Sequence, residues 1–208
     1  MTAAAPSVVI VDYGSGNLRS AERALAYAGA AVEVTADLSR AKESDGLVVP
    51  GVGAFATCMA GIAAIGADDL VRRRVADGAP VLGICVGMQV LYQSGAEHGT
   101  TTAGIGVLPG TIERLPAAVL PHMGWNTVVA APGSRLLAGV EGERFYFVHS
   151  YAKRAAGPEA VGETVAVHGA PFVAAIEAGP IAATQFHPEK SGAAGLHLLR
   201  NWVSSLRP

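Results

Sequence analysis

Val81-Leu82-Gly83-Ile84-Cys85-Val86-Gly87-Met88-Gln89-Val90-Leu91-Tyr92 reads as a short apolar strand, Val81 to Ile84, that turns at Cys85 into a helix running to Tyr92. A nucleophile on such a turn sits in strained backbone, so the residues two positions away must be almost free of side chain. Gly83 and Gly87 meet that need. A helix starting just past the cysteine supplies a positive dipole end and free N–H groups, which lower a thiol pKa and cradle an oxyanion. Cys85 also fits a plain buried thiol in an apolar strand, since free cysteine is among the most buried residue types. Cys58 lacks this setting and is expected in the core.

Outward from that stretch, apolar runs alternate with helical patterns. Val8–Val11 is a strand, 12–17 (Asp-Tyr-Gly-Ser-Gly-Asn) is turn chemistry, and Leu18–Ala28 is a helix closed by Gly29. Val32–Val34 and Gly46–Val49 are strands, Ala54–Ile65 and Asp68–Ala76 helices. Strand, crossover helix, strand is the signature of a parallel sheet covered on both faces. The second half reads as short strands at Gly104–Leu115, Trp125–Ala130, Phe145–Ser150, Val161–His168, Phe172–Ile176 and Ile181–Phe186, then a helix over Ala193–Leu206. The expectation is one α/β domain over residues 1–208: three layers, a central mixed but mostly parallel sheet with helices on both faces, and a cysteine nucleophile elbow.

Composition agrees with a covered sheet. Of 208 residues, 50% are hydrophobic and only 15% charged, and the mean hydropathy is +0.36; an average soluble domain carries about 25% charged residues. That excludes intrinsic disorder, and Gly 26 with Pro 12 excludes a long coiled coil. The uncharged run Gly46–Ala67 is long enough to cross a bilayer, but Pro50-Gly51 and Gly51-Val52-Gly53 break any single helix there. No signal-peptide pattern opens the sequence, and a reducing cytoplasm is the expected location. The net charge of −2 argues against nucleic acid as a partner. Two cysteines make no disulfide framework, and no histidine pair has metal-ligand spacing, so neither metal nor cofactor is expected.

A cysteine nucleophile needs a base, and the base an orienting group. Of the histidines at 98, 122, 149, 168, 187 and 197, only His187 has a carboxylate at a suggestive offset: Gln185-Phe186-His187-Pro188-Glu189 follows the strand from Ile181. Sites in α/β proteins collect at such strand ends. His122 and His149 each flank a strand, and each fits a structural or a site role. Pro50-Gly51-Val52-Gly53, at another strand end, offers unobstructed N–H groups for an oxyanion. Gly51-x-Gly53-x-x-Ala56 and Gly14-x-Gly16 fit a dinucleotide loop only loosely.

With these pieces in hand, the chain resembles the class I (triad) glutamine amidotransferases. The resemblance rests on VDYGSGNLRS (11–20), VPGVGAF (49–55), LGICVGMQVL (82–91), HMGWN (122–126), FVHSY (147–151) and QFHPEKSG (185–192). The cysteine and HPE motifs are shared across that class; the combination of DYGSGNL, HMGWN and VHSY is similar to the glutaminase subunits of imidazole glycerol phosphate synthases. Val86 departs from the usual leucine, at a position whose backbone N–H matters more than its side chain.

The resemblance implies a Cys85–His187–Glu189 triad. It further implies an oxyanion site from Gly51, Val52, Gly53 and Val86, and glutamine-binding positions at Gln89, Glu97, Ser150 and Tyr151. Asn17, Trp125 and Tyr146 match a face toward a (β/α)8-barrel cyclase subunit, giving a heterodimer that passes ammonia between its sites. Rival readings are another class I amidotransferase, such as the glutaminase of pyridoxal phosphate synthesis, and a cysteine-elbow α/β hydrolase, in which the acid usually precedes the histidine. A pseudo-glutaminase scaffold is the non-enzymatic alternative.

Overall fold

The computed structural model describes residues 4–156 and 162–206. Its first half runs β1 (Ser7–Val11), α1 (Leu18–Tyr27), β2 (Ala31–Thr35), α2 (Leu38–Glu43), β3 (Gly46–Val49), α3 (Phe55–Ala64), α4 (Ala67–Ala76), β4 (Val81–Ile84) and α5 (Val86–Gln89). The second half contains β5 (Tyr92–Glu97), β6 (Thr100–Ala103), β7 (Leu108–Arg114), β8 (His122–Thr127), β9 (Arg144–His149), β10 (Tyr151–Lys153), β11 (Glu163–His168), β12 (Ala170–Ala178), β13 (Ile181–Thr184), a 3-10 turn at Pro188–Lys190, and α6 (Gly192–Ser205).

Seven strands form the main sheet in the order β11-β12-β13-β4-β3-β1-β2. From β13 to β2 all neighbours are parallel, whereas β11-β12 and β12-β13 are antiparallel. Every residue of β3, β4 and β13 is buried, as strands covered on both faces must be. Their lack of charge is why this region reads as so hydrophobic. Helix α1 sets Ala21 and Leu25 inward at helical spacing, packs on α6, and ends at Ala28 before Gly29 at φ +105°. Helix α6 closes on β3, where a side chain at Gly46 would meet Trp202 at 2.7 Å. Helices α2 and α3 pack on α4. No helix among the described residues is long and apolar enough to cross a membrane.

The expected parallel core is present, with the boundaries of β3 and β4 as read from the sequence. The second half differs. A four-stranded sheet, β10-β7-β5-β6, and a two-stranded ribbon, β8-β9, stand beside the main sheet. The helix expected through Tyr92 stops at Gln89: Leu91 N–H closes a tighter turn on Met88 O, and the chain leaves it with the Val90 and Leu91 carbonyls accepting from Ile105 and Leu108 N–H. Tyr92 then opens β5, which with β6 has no counterpart among the strands expected from the sequence. The strand expected from Gly104 begins only at Leu108, the preceding residues forming the loop that makes those bonds. The strand expected over Trp125–Ala130 lies at His122–Thr127, and Ser150 separates two strands where one was expected. Val161, expected to start a strand, lies outside the described residues. Helix α2 is not among the expected elements, although Asp37 carries a cap signal: its carboxylate accepts from Ser39 N–H at 2.9 Å.

Candidate functional site

Cys85 occupies the turn between β4 and α5 with φ +56° and ψ −115°, a conformation side-chain-bearing residues rarely adopt. The surroundings hold it there. Cys85 N–H donates to Thr184 O at 2.8 Å, and its carbonyl accepts from Met88 and Gln89 N–H. A Cβ at Gly87 would stand 1.8 Å from Val49 O, and one at Gly51 2.6 Å from Gly87 N. The glycines let the ends of β3 and β4 close together, and only 3% of Cys85 remains exposed.

His187 and Glu189 flank Pro188 just past the end of β13. His187 Nδ1 and Glu189 Oε1 are 2.7 Å apart, with side chains only 3% and 4% exposed. His187 N–H donates to Tyr146 O at 2.9 Å; Ser191 Oγ donates to His187 O and accepts from Tyr146 N–H. The turn is thereby tied to β9. Burial pulls the imidazole pKa down, but hydrogen bonds to Cys85 and Glu189, with the charges of both, outweigh it and raise it to about 9.

Cys85, His187 and the expected substrate positions line one cavity of about 210 Å³. Val52, Gly53, Val86, Gln89, Glu97, Ser150 and Tyr151 all line it. Glu97 Oε2 also accepts from Phe55 N–H at 2.9 Å, tying β5 to the start of α3. Gly51 contributes differently, as the close-packed residue under α5. The Val52 peptide is turned toward Ser15: its N–H donates to Ser15 Oγ at 3.3 Å, and its carbonyl accepts from Ser15 Oγ at 2.9 Å and Cys58 Sγ at 3.3 Å. Cys58 is buried, as expected, and it also helps hold this loop.

Several contributors escape a reading of the sequence alone. Gln185, fully buried, donates from Nε2 toward Cys85 Sγ at 3.8 Å and accepts from Gln89 Nε2 at 3.0 Å. Gln89 Nε2 also donates to Tyr151 O at 2.9 Å. Val148, His149 and Lys190 complete the cavity lining. The position of Gln185 directly before Phe-His-Pro-Glu is its one signal in the sequence.

Of the expected partner-facing residues, Trp125 and Tyr146 stand opposite each other on the β8-β9 ribbon, ring centroids 6.1 Å apart, with Trp125 53% exposed. Asn17 is elsewhere, exposed at the start of α1, where its side chain makes no capping bond.

The sequence profile of the family described as glutamine amidotransferase class-I matches residues 9–206. The chain is 58% identical to an imidazole glycerol phosphate synthase subunit HisH of Nocardia farcinica, covering 96% of this chain and 98% of that protein. It is 58% identical to the protein of the same name from Mycobacterium bovis, covering 97% and 99%. A crystal structure described as glutamine amidotransferase shares the fold with a TM-score of 0.70 at 22% identity, covering 95% of this chain and 97% of that one. The PurLQS structure from Thermotoga maritima does so with a TM-score of 0.68 at 18% identity, covering 97% and 99%. The chain therefore belongs to the class I glutamine amidotransferases and, within them, to the HisH subunits of imidazole glycerol phosphate synthase.

Proposed function

We propose that the chain is a single glutamine amidotransferase domain, residues 1–208, that hydrolyses glutamine to glutamate and ammonia. The ammonia goes to a (β/α)8-barrel cyclase subunit bound as a heterodimer, which makes imidazole glycerol phosphate and an aminoimidazole carboxamide ribonucleotide in histidine biosynthesis. The observation that carries this reading is that Cys85 and His187 line one cavity, with Glu189 held 2.7 Å from His187 Nδ1 behind it.

In this mechanism Cys85 gives its thiol proton to His187, Sγ attacks the carboxamide carbon of glutamine, and the oxygen takes up negative charge. Val86 N–H, at the start of α5, and the N–H groups of the 51–53 loop stabilise that oxyanion. His187, whose raised pKa keeps a proton available, protonates the departing nitrogen as the C–N bond breaks. A γ-glutamyl thioester remains. His187 then takes a proton from water, the hydroxide displaces Cys85 sulfur, and glutamate leaves. Glu189 orients the imidazole throughout. Both amide hydrogens of Gln89 are used within the protein, so its Oε1 is left to accept from the substrate.

Ammonia in water is mostly protonated near neutral pH and then non-nucleophilic, which favours a closed route to the partner. The route would open beside Trp125 and Tyr146, and Asn17, at the start of α1, would meet the partner at a separate point. A glutaminase running without its synthase wastes glutamine, and the Val52 N–H held by Ser15 supports a resting loop that partner binding rearranges. The cytoplasm suits the two free thiols at 58 and 85.

The test is ammonia release from glutamine, measured with and without the barrel subunit, and covalent labelling by a glutamine-like electrophile. Release that rises with the partner, and label lost in Cys85→Ala, support the reading. Full-speed hydrolysis regardless of partner would refute the gating, and no labelling at all with partner present would favour a scaffold.

A further inference from the structure

Three side chains from the β8-β9 ribbon make a continuous relay that runs from half-buried Asn126 through buried His122 to buried His149, which helps line the cavity. Asn126 Nδ2 lies 3.3 Å from His122 Nε2, His122 Nδ1 lies 3.0 Å from His149 Nε2, and His149 Nδ1 lies 3.0 Å from Tyr151 O. Its two ends impose one proton arrangement. An amide nitrogen only donates, so His122 Nε2 accepts and Nδ1 carries the hydrogen. A carbonyl only accepts, so His149 Nδ1 carries the hydrogen and Nε2 accepts from His122. The two demands agree, and both rings are neutral. Burial, which lowers the pKa of His122 to about 4 and of His149 to about 3, sustains that state. Tyr151 O then accepts twice, from His149 and from Gln89, and Gln89 passes the network through Gln185 to Cys85.

We infer that His122 and His149 are positioning residues for the substrate: the relay from Asn126 locks the Tyr151 carbonyl and, through it, the Gln89–Gln185 amide pair beside Cys85. This rests on the glutaminase reading and deepens it. Neither imidazole performs the proton transfers of the reaction; those belong to His187. The relay sets where Gln89 Oε1 and the Ser150–Tyr151 wall meet the substrate, so its loss weakens binding before it slows chemistry.

The experiment compares variants in the complex with the barrel subunit. His122→Phe keeps the ring shape and removes the relay; His122→Asn restores a donor near the Nδ1 position. Phe147→Leu perturbs the ring that stacks on His122 at 4.8 Å without removing a hydrogen bond. His122→Phe is expected to raise the KM for glutamine about tenfold with kcat within about threefold, a loss of binding shared by ground and transition states. It should slow labelling by a glutamine-like diazoketone while leaving iodoacetamide alkylation of Cys85 unchanged. His122→Asn should recover most of the KM, and Phe147→Leu should lower the melting temperature with KM unmoved. Should His122→Phe not fold, Asn126→Ala cuts the relay at its half-buried end and should raise KM in the same direction. An unchanged KM in both relay variants, or equal KM shifts in His122→Phe and Phe147→Leu, overturns the inference. A wild-type complex that releases no ammonia from glutamine overturns the glutaminase reading beneath it.

Discussion

Glu189 Oε1 reaches His187 Nδ1 at 2.7 Å across a single proline, and both side chains are almost wholly withdrawn from water. Because Pro188 fixes the backbone between them, the carboxylate is committed to this one partner. Glu189→Gln keeps the shape and removes the charge, so the imidazole loses the group that orients it and supports its proton. The expected result is a fall in glutaminase kcat of about 10²–10⁴-fold, the usual range for a positioned acid–base group. Steady-state ammonia release at saturating glutamine, in the complex, measures it; a change below about threefold would remove Glu189 from the mechanism.

The same pair predicts a pH dependence of stability. His187 has its folded pKa raised from the ordinary 6.5 to about 9. Protonation is then favoured by folding, so its stabilisation is fully present below pH 6.5 and fades as pH rises through about 9. Melting temperatures across pH 6 to 10 should show wild type losing its advantage over Glu189→Gln on the alkaline side. A constant difference across that range would contradict the raised value.

His122 and His149 have the opposite sign. Their folded pKa values, about 4 and about 3, lie below 6.5, so the neutral forms favoured by folding stabilise fully above pH 6.5. That contribution is lost as pH falls from 6.5 toward 4 and then 3, when the unfolded chain takes up protons the folded one refuses. Charge repulsion from His168, stacked on His122 at 4.3 Å, adds to burial in lowering the His122 pKa. Acid denaturation followed by circular dichroism should be displaced to lower pH in His122→Phe, relative to its own stability at pH 7.

Features carried by a few adjacent residues are legible in the sequence itself. Gly-Ile-Cys-Val-Gly announces an elbow because strain, glycine spacing and a following helix are local properties. His187-Pro-Glu189 announces an oriented base for the same reason. The Gln89–Gln185 bond joins residues 96 positions apart, and Ser15 meets Val52 across 37; no local pattern encodes such pairings. The helix expected through Tyr92 fails likewise, since residues 104–108 draw the backbone of 90–93 into bonds with a segment distant in sequence. Tertiary hydrogen bonding there outweighs helical periodicity.

Ser15 gives a prediction about the resting loop. Its hydroxyl holds both the N–H and the carbonyl of Val52, although Val52 lines the cavity where an oxyanion would need that N–H. Ser15→Ala removes both bonds, leaves the Val52 carbonyl held by Cys58 Sγ alone, and releases the Val52 N–H to turn toward the cavity. Ammonia release by the chain without its partner should rise several-fold, while activity in the complex stays near wild type. The cost in stability should be about 1 kcal/mol for the bonds lost. Unchanged partner-free activity would mean that the Val52 orientation is not what holds the isolated subunit back.

Cys85 carries the last prediction, because its backbone stores strain. At an ordinary buried site alanine is more stable than glycine by about 1 kcal/mol, since glycine loses more chain entropy on folding. At φ +56° and ψ −115° a Cβ is penalised, by about 1–3 kcal/mol for residues in such sparsely populated regions. Glycine escapes the penalty. Cys85→Gly should therefore equal or exceed Cys85→Ala in stability, inverting the usual order, although both are inactive. Urea denaturation of the two variants decides it. If alanine keeps its ordinary advantage, the elbow is relaxed and its glycine neighbours serve close packing alone; if glycine wins, part of the folding energy is spent on presenting this sulfur to the cavity.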